Sequence, residues 1–205
     1  MEDASSARDA RSTVMNATSD NAPPGPALTP EAEHDLDEVE ALYDLAFGPG
    51  RTGLSSYRLR IGAPPIAALC LVLRDEYQTV IGAVRSWPIR LGDPAPGAPA
   101  LLLGPIAVHP TRQSEGLGAQ LILESLERAR DLGWRAVMLV GDEPYYRRFG
   151  FRRALAEPIA FPEPTNPKRV LALELRPGAL AGVAGPARRW AERGGETEPG
   201  SEAEP

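Results

Sequence analysis

The stretch "ALLLGPIAVHPTRQSEGLGAQLILESLERA" (residues 100–129) constrains this chain more than any other. A nearly unbroken apolar run ends at Val108, a proline-broken loop follows, and Gly116 and Gly118 lead into an amphipathic pattern. Leu117, Leu121, Ile122, Leu126, Ala129 and Leu132 recur at helical spacing, with Glu124, Glu127, Arg128 and Asp131 on the opposite face. A glycine inside a helix costs about 1 kcal/mol against alanine, so two at a helix start suggest that something approaches the backbone closely there. The unpaired N–H groups of a first turn and the helix dipole suit an anion, and strand, loop and helix start together read as a phosphate cradle. An ordinary strand-to-helix connection with incidental glycines is the other reading. A P-loop is excluded because the Lys and Ser/Thr of GxxxxGK[ST] are missing, and a dinucleotide fingerprint because no third glycine follows.

The flanking elements fill in a fold. Thr29-Pro30-Glu31 reads as a helix opening, with Leu36, Val39, Leu42, Tyr43 and Ala46 at helical spacing and Gly48-Pro49-Gly50 as the stop. Residues 55–62 suggest a second short helix. Residues 66–74 and 79–91 form an expected antiparallel pair of strands. The run at 100–108 is a strand buried on both faces, with a bulge at Gly104-Pro105 because proline cannot donate to a ladder. Residues 135–140 complete a right-handed parallel strand–helix–strand unit. A short helix and turn at 144–151 and a final strand at 169–175 follow. The order implies an α+β fold with a mixed, mostly antiparallel sheet flanked by helices.

Charge and composition set the limits. The net charge of −6 lies in the ends, −2 in residues 1–28 and −4 in residues 191–205, which leaves 29–190 neutral. Both ends are poor in large apolar groups and are expected to be disordered tails around one domain at 29–190. A neutral core carries no electrostatic footprint for nucleic acid. The single cysteine, Cys70, cannot form an internal disulfide or a cysteine metal cluster and fits a reducing compartment. No apolar run reaches the ~18 residues of a membrane span, and residues 1–10 lack a signal-peptide pattern. The expected location is cytoplasmic, with no metal, nucleic-acid or membrane partner.

"GPIAVHPTRQSEGLGAQLI" resembles the acyl-CoA-binding motif of the GNAT superfamily of acetyl-CoA-dependent N-acetyltransferases, Q/R-x-x-G-x-G/A, as Gln113, Gly116 and Gly118. "YYRRFGF" is similar to the family's tyrosine-plus-Gly-Phe element, with Tyr146 four residues before Gly150. Residues 141–151 and 171–183 resemble a bacterial predicted-acetyltransferase subgroup. The resemblance implies a GNAT acyl-CoA N-acyltransferase fold, acetyl-CoA as cosubstrate and a primary amine as acceptor. It implies that Ile106, Ala107 and Val108 present strand backbone to the pantetheine and acetyl groups. It further implies that Gln113, Ser114, Glu115, Gly116, Leu117, Gly118 and Ala119 wrap the pyrophosphate, and that the splayed bulge offers N–H groups to an oxyanion. Tyr146 would be the catalytic residue, protonating or hydrogen-bonding the departing thiolate. Packing of Tyr146 on the sheet is the alternative role, one for which Tyr145 looks better suited.

The departures from the family pattern are specific. Glu115 stands where a pyrophosphate would meet it, and the strand at 100–108 has no carboxylate to act as general base. Asp142, Glu143, a carboxylate of the first helix or a water chain are left as proton acceptors. These gaps motivate the alternative of a non-catalytic acyl-CoA-binding regulatory module. His109 and His34 read as loop and solvated residues, and Cys70 as a small core residue. Arg147, Arg148, Arg152 and Arg153 read as a solvated face or an anion contact, and Trp87 as cleft or sheet packing. The acceptor is not legible, and a homodimer is allowed without being selected.

Overall fold

The computed structural model describes residues 25–95 and 97–190. The expected tails lie outside these residues, apart from residues 25–28. In chain order the elements are β1 (Ala27–Pro30), α1 (Leu36–Phe47), β2 (Leu71–Arg74), β3 (Val80–Leu91), β4 (Ala98–Val108), α2 (Leu117–Asp131), β5 (Ala136–Val140), α3 (Glu143–Tyr146), α4 (Arg153–Ala156), β6 (Ile159–Ala160), β7 (Val170–Glu174) and β8 (Gly185–Arg189), joined by short 3-10 turns. The sheet order is β1-β2-β3-β4-β5-β7, antiparallel throughout except for the parallel β4–β5 pair. The mixed α+β architecture and its single strand–helix–strand unit follow the sequence expectation.

Strand alternation divides the core into layers. Leu71 and Leu73 of β2 pack with Leu121, Ile122 and Leu126 of α2 on one face. Val72 joins Val39, Leu42 and Tyr43 of α1 on the other. β4 behaves differently at its two ends. Leu101 and Leu103 lie on the α2 face, but Ala107, also odd-numbered, lies on the α1 face. The pairing explains the inversion: Leu103 opposes Ser86 and Ile106 opposes Val84, so Gly104 and Pro105 together oppose Arg85. One extra residue flips the parity of everything beyond it.

Two expectations fail. The helix does not open at Thr29. Residues 27–30 form an edge strand against β2, where Pro30 needs no N–H, and the Glu31 N–H bonds the Cys70 carbonyl at 2.8 Å. The Glu31 carboxylate takes Arg85 of β3 in a two-pronged pair, with Nε at 2.8 Å and Nη2 at 2.5 Å. That tertiary pair overrides the local cap signal, and α1 begins at Leu36 after a 3-10 turn. Residues 66–70, placed in a strand, instead form a 3-10 turn at Ala67–Leu69 before β2. The segment at 55–62 is a 3-10 turn, Ser55–Leu59. Three elements are additional, α4, β6 and β8: β8 pairs with the far end of β3, Ala187–Arg189 against Ile89–Leu91, and delivers Trp190 edge-on to Trp134 at 6.1 Å.

Candidate acyl-CoA and acceptor site

The parallel pair β4–β5 is hydrogen-bonded only around Leu101–Val137 and Leu102–Met138. Beyond the bulge β4 follows β3, and the two strands part. The edge of β4 that turns toward the gap follows from one bond. His109 donates its N–H to the Ile81 carbonyl of β3 at 2.8 Å. Backbone groups alternate along a strand, so the Ala107 N–H also turns to β3, while those of Ile106 and Val108 face the gap.

Two cavities occupy the gap. The first, of about 400 Å³, is bounded by Leu103, Gly104, Pro105 and Ile106 of β4, by Leu139, Val140 and Gly141 at the end of β5, and by Asp142 and Tyr146. The second, of about 340 Å³, is lined by Val108, Gln113, Ser114, Gly116, Leu117, Gly118 and Ala119, with Arg112 and Arg148 at its sides. Tyr145 borders both. Gly116 holds φ +83°, a left-handed conformation that glycine reaches without strain, and turns the chain into α2. A Cβ on Gly118 would sit 3.2 Å from the Tyr145 hydroxyl and 3.7 Å from Val108 Cγ2, so a side chain there would enter the second cavity. This cradle fits a pyrophosphate: open backbone at a helix start, with two guanidinium groups beside it.

Most of the residues singled out from the sequence come together here, with two exceptions, Ala107 and Glu115, while Ala119 lines the cradle without a free N–H. Ala107 is buried under α1 and lines neither cavity. The Ala119 N–H already bonds the Gly116 carbonyl at 2.9 Å. Glu115 does not line the cradle: its carboxylate holds Arg112 through two bonds of 2.7 and 2.9 Å, which keeps Glu115 below the usual carboxylate range.

The two tyrosines exchange the packing roles expected of them. Tyr145 is 40 % exposed. The Tyr146 ring packs edge-on against Phe151 at 5.9 Å and beside Phe149, and reaches the first cavity. Gly141 makes room for it, since a Cβ there would overlap the Tyr146 ring. Burial is the largest influence on the Tyr146 hydroxyl and pushes its pKa up to about 12, with Tyr145 adding in the same direction.

The carboxylates also sort themselves. Asp142 lines the first cavity, paired to Arg169 at 3.1 Å. Glu143 turns away and accepts the Arg153 N–H at 3.1 Å. On α1, Asp44 takes Arg51 at 2.7 Å, and Glu40 binds both Arg85, at 2.5 Å, and Arg51. Burial alone would raise the Glu40 carboxyl, but the Arg85 and Arg51 hydrogen bonds outweigh it and hold it low. Arg51 also donates to the Tyr57 hydroxyl at 2.6 Å, which fastens the wall of the first cavity to α1.

Of the four clustered arginines, Arg148 reaches the cradle and stacks on Tyr145 at 4.1 Å. Arg152 caps the Arg147 carbonyl. His109 bonds Thr111 in its own loop, and Cys70 is buried with its pKa pushed up to about 12 by desolvation. Trp87 is core, with Arg60 over its ring at 4.6 Å. Nothing local in the sequence marks Arg51 or Arg60.

The described residues include no group of three or more His, Cys, Asp or Glu arranged to hold a metal, and no helix long and apolar enough to cross a membrane. A family model described as an acetyltransferase (GNAT) domain matches residues 67–153. The chain is 32 % identical over 119 residues, 57 % of its own length and 69 % of the other's, to YhbS of Escherichia coli strain K12, described as an uncharacterized N-acetyltransferase. The chain belongs to the GNAT family of acetyltransferases. Among solved GNAT structures, that of E. coli YhbS in complex with CoA has a TM-score of 0.70 at 26 % identity, covering 81 % of this chain and 90 % of that one. A GNAT acetyltransferase from Brucella melitensis in complex with acetyl-CoA has a TM-score of 0.55 at 28 % identity, covering 74 % and 89 %.

Proposed function

We propose that this GNAT protein transfers an acetyl group from acetyl-CoA to a primary amine by direct attack. The observation that carries the reading is the parting of β4 from β5. The glycine cradle and the Tyr146 side chain border that gap, and the Ile106 and Val108 N–H groups turn into it. The first-turn N–H groups of Leu117 and Gly118 have no acceptor within their own helix and suit the pyrophosphate. Ile106 and Val108 offer strand hydrogen bonds to the pantetheine arm. The Ile106 N–H beside the bulge suits the oxygen of the thioester carbonyl as charge builds on it. The amine loses one proton through water toward Asp142, its nitrogen bonds the carbonyl carbon, and the carbon–sulfur bond breaks. Tyr146 donates a hydrogen bond to the departing sulfur.

Two features of the site support this reading over a binding module. Glu115 is engaged by Arg112 instead of confronting the cradle, and Asp142 brings a carboxylate to the cavity that the strand itself lacks. Acetyl-CoA is expected to bind 1:1 and to raise the melting temperature, since a ligand selective for the folded state stabilises it. Thiol release from acetyl-CoA, screened against amino acids, polyamines and peptide N-termini, tests the transfer. Binding without release of thiol to any amine would leave the module reading in place.

Glu115→Gln frees Arg112 to turn to the cradle. Acetyl-CoA affinity is expected to rise about two- to fivefold at low salt and the gain to fade at high salt. The same substitution in an Arg112→Gln background is expected to do little. Calorimetry at two ionic strengths checks this, and an equal gain in both backgrounds would show that Glu115 acts without Arg112.

A further inference from the structure

Resting on the proposed transfer, which brings the amine toward Asp142 on the first cavity, we propose that the acceptor carries a carboxylate, which Arg60 receives. Three arginines line that cavity: Arg51, Arg60 and Arg169. Arg51 is answered by Glu40 and Asp44, and Arg169 by Asp142. Arg60 has no carboxylate partner among the described residues. Its Nε and Nη1 are buried without a hydrogen-bond acceptor. Burial is also the largest influence on its pKa, lowering it, while Tyr57 acts the other way.

A guanidinium in this setting is costly to leave unanswered, because removal from water penalises the charge and orphans its donors. The surroundings hold it in place nonetheless. The Arg60 guanidinium lies 3.9 Å from the Tyr57 ring centroid and 4.6 Å from that of Trp87, and Tyr57 is itself fixed by Arg51 at 2.6 Å. Stacking on two aromatic faces removes side-chain freedom in advance, which favours capture of an anion entering the cavity.

Charge matching selects the anion. Arg60 is the one guanidinium of the three without a carboxylate of its own among the described residues, so the match is made at that single group. A carboxylate brings one negative charge, whereas a phosphate monoester brings about 1.5 to 2 and leaves an excess. Asp142 lies on the same cavity with its charge shared with Arg169, so that pair does not compete with Arg60 for the carboxylate. Phe47 and Leu54, 46 % and 53 % exposed, border the cavity and suit an apolar substituent on the amine.

The test is binding to the CoA-saturated protein, which does not depend on turnover. Calorimetry would compare N-acetyl-leucine, N-acetyl-phenylalanine, N-acetyl-alanine and N-acetyl-glutamine with their C-terminal amides, and with N-acetyl phosphoethanolamine. At least one carboxylate is expected to bind tenfold or more tighter than its amide and than the phosphate. Arg60→Gln is expected to erase that preference and Arg60→Lys to keep part of it, with melting temperature and acetyl-CoA binding read in parallel as evidence of folding. Amides binding as well as carboxylates throughout the panel, a preference for the phosphate, or a preference that survives Arg60→Gln would each overturn the proposal. Thiol release keeps the two readings apart. Release with amino-acid amides and amino acids alike sinks the Arg60 assignment and leaves acetyl transfer standing; a carboxylate preference without release does the reverse.

Discussion

Gly118→Leu is expected to weaken acetyl-CoA binding by about a hundredfold or more, roughly 2.7 kcal/mol, without lowering the melting temperature of the free protein. Gly118 is the second residue of α2, where its N–H has no acceptor within the helix. A phosphate oxygen must come within about 3.2 Å of that nitrogen to bond it. The new Cβ would meet the Tyr145 hydroxyl at 3.2 Å, and Tyr145 is exposed enough to move aside at little cost. The rest of the leucine side chain would then occupy the cavity beside Val108 and Arg148. Leucine is the better helix former by up to about 1 kcal/mol, so the fold gains where binding loses. Calorimetry and thermal unfolding on the same samples decide it. Unchanged affinity in a folded variant would remove the cradle from the site.

Tyr146→Phe is expected to reduce kcat about a hundredfold with acetyl-CoA affinity nearly intact, the signature of an interaction made mainly in the transition state. Phenylalanine keeps the ring contacts with Tyr145, Phe149 and Phe151, so loss of fold is not the expected cause. Burial decides what the hydroxyl does. It penalises the tyrosinate and pushes the pKa to about 12, some 3.5 units above a thiol near 8.5. Complete proton transfer to the thiolate would then be uphill by about 5 kcal/mol, so Tyr146 is expected to donate a hydrogen bond and keep its proton. The sign sets the pH profile: with the tyrosine protonated well below 12, kcat is expected to show no decline from its ionisation up to pH 10. A Tyr146→Phe enzyme as fast as the wild type would dismiss the role. A basic limb near pH 9 that vanishes in the variant would show a far more acidic hydroxyl.

What the sequence determined by itself is the set of features written in local periodicity. The stripe from Leu117 to Ala129 could only be a helix with one buried face, and α2 buries that face. Gly104-Pro105 could not sit in a regular ladder, and the register of β3 and β4 slips there by one residue. The glycines at 116 and 118 marked the helix start where a cavity opens. Tertiary structure decided whatever depends on a partner distant in the chain. Thr29-Pro30-Glu31 carries every local sign of a helix cap, yet Glu31 finds Arg85, 54 residues away, and strand pairing prevails. "GPARR" at 185–189 has no strand pattern of its own and becomes β8 because the far end of β3 has an edge to offer. A local partner can go unread too: Glu115 looked like an obstacle to phosphate, yet Arg112, three residues earlier, holds its charge. Tyr145 and Tyr146 are chemically identical neighbours; the space left by Gly141 takes the Tyr146 ring, and Tyr145 stays exposed. Arg60 is one arginine among many in the sequence. It acquires a role only where Tyr57 and Trp87 stack on it and no carboxylate among the described residues reaches it, since an unanswered charge is a property of its surroundings.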